Sequence, residues 1–258
     1  MAELAIANKN RRFYFNWIPD ILFRPRLAFQ RICSISSAIW LTPLLVLSIM
    51  LSINTLVAGR LKYQAAQSGE ITYPADFQYY TPEQQAQYTQ AIESTQGPVF
   101  VYVIPCTISL LGVWIGWLIL GGILHLITTL FGGRGSTVIS MNIVAWASLP
   151  IAIRVLLQII YMLVAKNLII NPGLSGFSSA SDSGVFLFIG QILKLLDIYI
   201  IWQILLLILG VRISAALSVS KSTFGVILSI IVILCLQAGL AYLGSLLGSL
   251  SITRPFFF

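Results

Sequence analysis

From Val185 to Leu209 the chain runs through 25 residues that are almost all Leu, Ile, Val, Phe and Gly, with Gln191, Lys194, Asp197 and Gln203 as the polar interruptions. An α-helix of that length crosses a hydrocarbon core about 30 Å thick. Two ionisable groups then sit near the bilayer midplane, where each costs roughly 2.5–3.5 kcal/mol on insertion scales. Such groups face the protein interior and find a partner. Lys194 and Asp197 are three residues apart, hence neighbours on one helix face, and are placed to neutralise each other.

Four further apolar blocks share this character: Ala38–Ala58, Val99–Phe131, Val138–Val164 and Phe224–Leu250. With 58% hydrophobic and 9% charged residues, no ordinary soluble domain fits. Long separate blocks, rather than short alternating segments, argue for helices over a β-barrel. The expected fold is therefore all-α: a polytopic membrane protein with five transmembrane helices, an N-terminal interfacial amphipathic helix and a helical extracytoplasmic loop. The expected divisions are a basic leader over 1–37, a membrane domain over 38–250 with an outer loop at 59–98, and a short tail at 251–258. The block Val99–Phe131 is too long for a straight crossing, so it tilts or extends beyond the bilayer.

Lysine and arginine set the orientation. Nine of the 15 (Lys9, Arg11, Arg12, Arg24, Arg26, Arg31, Arg134, Arg212 and Lys221) fall on one side of the spans, four (Arg60, Lys62, Lys166 and Arg254) on the other, and Arg154 and Lys194 within them. The positive-inside rule makes the N-terminus cytoplasmic and the C-terminus extracytoplasmic in a cell membrane. The net charge of +7 is then accounted for by topology and by attraction to anionic lipid, and no nucleic-acid partner is inferred. Within the leader, aromatic and aliphatic residues alternate with arginine, and Pro25 suits a first helical turn. Trp17, Arg24, Arg26, Phe29 and Arg31 read as anchors of a helix lying in the headgroup layer.

In the outer loop, Thr81-Pro-Glu-Gln84 is a capping box that opens a helix to about Ser94. Tyr88, Ala91 and Ile92 share one face of it, an apolar stripe to be covered by the protein's own outer surface or by a partner. Gly132-Gly-Arg-Gly-Ser-Thr137 lacks the lysine and spacing of a nucleotide loop, so it reads as a tight turn capped by Ser136 or Thr137.

Inside the membrane, Pro150 bends or loosens the third span one turn before Arg154. Arg154 lies near the level of the fourth span's charges, which makes an Arg154–Asp197 pair geometrically reasonable, with Lys194 sharing the carboxylate or stretching outward. The cluster Arg154, Lys194 and Asp197 is read as structural, with an ion or proton path as the alternative. Gly112 and Gly116, and Gly244 and Gly248, offer small-residue faces for close helix packing within the monomer or between subunits of a homo-oligomer. His125 has no second ligand at metal spacing, and Cys33, Cys106 and Cys235 read as packing residues, with acylation an alternative for Cys33. No catalytic constellation, cofactor motif or metal site is recognised, so an enzyme is not expected.

Several segments resemble one family when taken in order. Ile21-Leu-Phe-Arg-Pro-Arg-Leu-Ala-Phe29 is similar to the opening segment of the Yip family (Ypt/Rab-interacting membrane proteins). Gly132-Gly-Arg-Gly-Ser136 followed by Ala145-Trp-Ala-Ser-Leu-Pro150 resembles its second connection and proline-bearing third span. Asp197-Ile-Tyr-Ile-Ile-Trp202, Gly210 and Ser218-Val-Ser-Lys221 resemble its fourth span and the turn after it. The resemblance covers residues 18–250 and implies a five-helix domain, N-terminus in and C-terminus out, without known catalysis. Eukaryotic members act in vesicle traffic with small GTPases through long cytosolic N-termini. With a leader of fewer than 40 residues, this chain is more similar to prokaryotic members, some of which accompany ABC exporters. The resemblance implies a non-catalytic accessory or scaffold protein contacting other membrane proteins, such as an ABC transporter permease or adaptor. The alternative is a small ion or solute transporter or channel using the charged cluster.

Overall fold

A computed structural model describes residues 13–67, 77–95, 97–169, 171–177 and 184–250. Ten α-helices and several short 3-10 or π turns make up these residues, with no strand among them. The fold is all-α, and five helical stretches are long and apolar enough to cross a membrane: Leu41–Ala65, Val99–Leu130, Thr137–Ala165, Ile198–Ala215 and Val219–Leu243.

Helices α1 (Ile18–Phe23) and α2 (Pro25–Ser34) form the leader, and α3 (Leu41–Gln67) is the first span. The expected span ends at Ala58, but α3 continues through Arg60 and Lys62, because helix-favouring residues prolong a helix past its last greasy turn. In the outer loop, α4 occupies Pro82–Thr95. The second span opens with a π turn, Val99–Val103, and continues as α5 (Ile104–Leu130). Pro105 sits in the first turn of α5, where its missing N–H is not required.

The third span is two helices, α6 (Thr137–Ala147) and α7 (Leu149–Ala165), offset at Ser148 just before Pro150. Ser136 caps α6 by accepting from the Ile139 N–H at 3.3 Å, so the glycine-rich segment is a turn leading into a capped helix. The fourth apolar block departs from expectation. Val185–Leu209 is not one helix: α8 (Gly184–Leu195) stops, Leu196 and Asp197 are non-helical, and α9 (Ile198–Ala215) begins anew. The last helix, α10 (Val219–Leu250), starts five residues before the expected Phe224.

The third span is the central post. Ile143, Val144, Ala145, Trp146 and Ala147 are all fully buried. Helix α6 packs on α5, α9 and α2, while α7 packs on α3 and α9, and α10 closes the ring against α5, α8 and α9. At Gly210 the backbone of α9 comes so near that an added Cβ would lie 2.6 Å from Ile143 Cγ2 and 3.2 Å from Phe29 Cε1. A glycine is required there by close approach.

The leader packs into the bundle rather than lying flat beside it. Trp17, Ile21, Ala28, Phe29 and Ile32 are buried, and the Trp17 ring lies 5.9 Å from that of Trp146. Trp17 and Phe29, expected to be headgroup anchors, are therefore core residues. The leader has a second apolar face, on which Phe23 is 83% exposed and Phe13, Phe15 and Leu27 are also exposed. Arg24, Arg26 and Arg31 are exposed, and Arg31 bridges to Asp20 at 2.7 Å, tying α2 to α1.

The link from leader to α3 is stitched to the post. Fully buried Asn142 accepts from the Ile39 N–H at 2.9 Å and donates to the Ser37 carbonyl at 3.0 Å, and Trp146 Nε1 donates to the Ile39 carbonyl at 3.2 Å. Replacing Asn142 by Leu leaves the buried Ile39 N–H unpaired, at about 1–3 kcal/mol, and removes the donor to the Ser37 carbonyl. The Asn142→Leu protein is expected to show a clearly lowered unfolding midpoint in detergent, whereas exposed Phe23→Leu leaves the midpoint within error.

Candidate functional site

The polar groups of the membrane region gather where the third and fourth spans both break. Asp197 adopts extended backbone (φ −153°, ψ −179°) and caps α9, its Oδ1 accepting from the Tyr199 and Ile200 N–H groups at 2.9 and 3.0 Å. Its Oδ2 accepts from Arg154 Nη1 at 2.9 Å. Both side chains are mostly shielded, with 25% and 15% exposure, so the pair is screened far less than a surface one. Lys194 ends on the other helix, exposed, and among the described residues no ion pair joins it to Asp197. The helix break puts the two charges on different axes, so the shared face expected from their spacing does not form.

The carbonyl side of the break is answered by the connection from the third span. The Leu174 N–H donates to the Leu193 carbonyl at 2.9 Å and to that of Leu196 at 3.0 Å. Gly173 makes this docking possible. Its φ is +63°, and a Cβ there would meet the Leu193, Lys194 and Leu196 carbonyl oxygens at 2.7–2.8 Å. Across the bundle, Gln203 Nε2 donates to Ser148 Oγ at 3.0 Å, and Ser148 in turn donates to the Val144 carbonyl at 2.8 Å. Gln203 is one of the polar interruptions of the fourth block, but neither it nor Ser148 announces a partner, since single polar residues in an apolar run carry no spacing signal.

Beside this cluster lies a cavity of about 340 Å³ lined by α3, α5, α6, α7, α9 and α10, with Arg154, Ser148, Gln203 and Gln237 in its wall. Gly112 and Gly116 line it too. Within the chain they bring no helix close: an added Cβ at Gly112 would meet nothing within 4 Å, and one at Gly116 only Gln237 Nε2 at 4.0 Å. Among the described residues no helix packs closely against this pair. Gly244 and Gly248 lie in the last turns of α10, where side-chain surroundings fall outside the described residues.

The other predicted positions sit apart from this cluster. On α4 the capping box forms, with the Thr81 N–H donating to Gln84 Oε1 at 2.9 Å and the Gln84 N–H to Thr81 Oγ1 at 3.3 Å. Tyr88 is 8% exposed, its ring 5.4 Å from Phe77 and 6.3 Å from Tyr80. Tyr88 is therefore covered by the loop's own aromatics and presents no partner surface. Ala91 is half-buried, and the Ile92 side chain lies outside the described residues. His125 Nδ1 is 3.4 Å from Ser140 Oγ, and among the described residues no three metal-ligating side chains gather. Burial pushes the Cys33 thiol up to about 11, which leaves little thiolate at neutral pH for acylation.

The model of the Yip1 domain family matches residues 20–241 of the chain. No curated protein and no solved structure matches it.

The docking of Gly173 can be tested by one methyl group. Gly173→Ala forces a left-handed residue, about 1–2 kcal/mol on backbone grounds alone, and drives a Cβ into three carbonyls. A lower yield of monodisperse protein is expected. Gly176→Ala, where a Cβ meets nothing within 4 Å, should match the parent.

Proposed function

We propose, from the premise that this chain belongs to the Yip1 domain family, that it is a non-catalytic multi-pass membrane protein that works as an accessory or scaffold for other membrane proteins. The observation that carries this reading is the full commitment of Asp197. Its carboxylate takes two backbone N–H groups and the Arg154 guanidinium at once. Intramembrane carboxylates that carry ions or protons work by exchanging them. Discontinuous helices in transporters likewise leave their half-helix ends to the substrate, whereas here both ends of the break are filled by the chain itself.

In its finer form the reading is a companion of an ABC-type exporter, contacting a permease or adaptor through the outer loop. The face of α4 left open by the burial of Tyr88 is polar, with Glu83, Gln87 and Gln90 exposed. The contact is then polar rather than made by an apolar stripe. The exposed arginines of the leader, together with Arg134, Arg212 and Lys221, lie at one end of the bundle. That end is assigned to the cytoplasm by the positive-inside rule, with the C-terminus on the far side of the cell membrane.

Two measurements test this. Reporter fusions at the two termini should report opposite faces, the N-terminal one cytoplasmic. Asp197→Ala removes a cap worth about 0.5–2 kcal/mol and leaves the partly buried Arg154 without its carboxylate. A several-fold loss of folded protein is expected, with Asp197→Asn intermediate because its amide oxygen still caps α9. If Asp197→Asn keeps normal yield but abolishes an ion flux carried by the pure protein in liposomes, the scaffold reading fails. Stoichiometric co-purification of an exporter permease in mild detergent would support its finer form.

A further inference from the structure

We propose that the cavity beside the Arg154–Asp197 pair is a binding site for an uncharged single-chain lipid ester, which enters from the bilayer between Gly112 and Gln237. At about 340 Å³ its size falls within the range of small-molecule sites, roughly 300–1,000 Å³. Its walls are apolar over most of their surface, from Leu47, Val113 and Leu120 to Ile233 and Leu234. That lining suits an acyl chain.

The entrance faces lipid. Gly112 is exposed with open space around it, and its neighbours Leu111 and Ile115 are 53% and 50% exposed on an apolar span. From Val99 to Gly116 no residue of the second span is buried. A missing side chain in the wall at hydrocarbon depth admits what the hydrocarbon contains, and excludes a solute that must first shed its water.

The polar wall selects the head. Arg154 and Asp197 neutralise each other, so an anionic head would have to compete with Asp197 and a cationic one would meet Arg154. Gln203 Nε2 is committed to Ser148. The Gln237 amide, by contrast, lines the cavity 4.0 Å from where a Gly116 Cβ would be, whereas Arg154 Nε is buried out of the cavity's reach. What that amide beside a neutralised ion pair calls for is an uncharged hydrogen-bonding head, such as an ester carbonyl or glycerol hydroxyl. This inference stands on the cavity alone and does not require the accessory reading.

The test uses the purified full chain in detergent and a monoacylglycerol carrying a diazirine on its acyl chain and an alkyne handle. Irradiation followed by peptide mapping should place the label on the cavity-lining segments around Ser109–Leu120 and Ile230–Gln237. Excess plain monoacylglycerol should compete at least tenfold better than the lysophosphatidylglycerol of equal chain length. Gly112→Leu, built into open space, should cut the labelling at least tenfold with an unchanged unfolding midpoint, and Gln237→Leu should cut it about threefold or more. The proposal is overturned if label spreads evenly over exposed positions off the cavity such as Leu163 and Leu205 and ignores Gly112→Leu, or if the anionic lysolipid competes equally well.

Discussion

A helix that stops inside a bilayer uncovers backbone groups that have no water to turn to, and each one left unpaired costs several kcal/mol. The break between Leu195 and Ile198 is the place where this chain meets that constraint. Asp197 supplies the acceptor that the first N–H groups of α9 lack, and Leu174 supplies the donor that the last carbonyls of α8 lack. A carboxylate used as a cap brings a charge with it, and Arg154 from the neighbouring span balances it. Three segments far apart in sequence are thereby locked at one level of the bundle. The charged pair is a by-product of capping as much as a stabilising contact in its own right, which is why an apolar substitute for both partners would not rebuild it.

The second fixed point is at the leader end. Asn142 and Trp146 hold the Ser37–Ile39 link, and the leader packs across α6, α7 and α9. Its two helices are apolar on two faces, and the protein takes one. The other, with Phe13, Phe15, Phe23 and Leu27 beside Arg24 and Arg26, keeps the composition of a headgroup contact. The leader is thus a core element that keeps a second, exposed apolar face beside its arginines.

These two points show what could and could not be read from residue order. The five apolar stretches, the Thr81 capping box and the nearness of Arg154 to Asp197 follow from length, local chemistry and helix rise, which are properties of single segments or of their depth. The break at Leu196 was not legible. Lys194-Leu-Leu-Asp197 contains no proline or glycine, and the decisive residue, Gly173, lies in another segment whose approach no periodicity announces. An Asp followed by a fresh apolar run is a cap signal in hindsight, but in a greasy block it reads equally as an intramembrane charge. Burial of Trp17, Phe29 and Tyr88 was missed for a related reason: an amphipathic helix shows which residues share a face, not whether lipid or protein covers it.

Packing density is uneven along the bundle axis, and this bears on where function sits. Large fully buried side chains, including Trp146, Phe29, Ile21 and Ile32, surround the leader, and Leu44, Leu149 and Val155 carry the core on toward the level of Arg154. The opposite half holds the broken fourth span, the bare stretch of the second span from Val99 to Gly116, and the cavity between them. Regions with few buried contacts open at lower free energy than the core they adjoin, and binding surfaces are drawn from them by necessity. The dense half fixes the helices in register, while the capped break and the Arg154–Asp197 pair stop that order from dissolving where packing thins. The loosely packed half can stay ordered around its cavity because the two charges nearest to it, Arg154 and Asp197, neutralise each other.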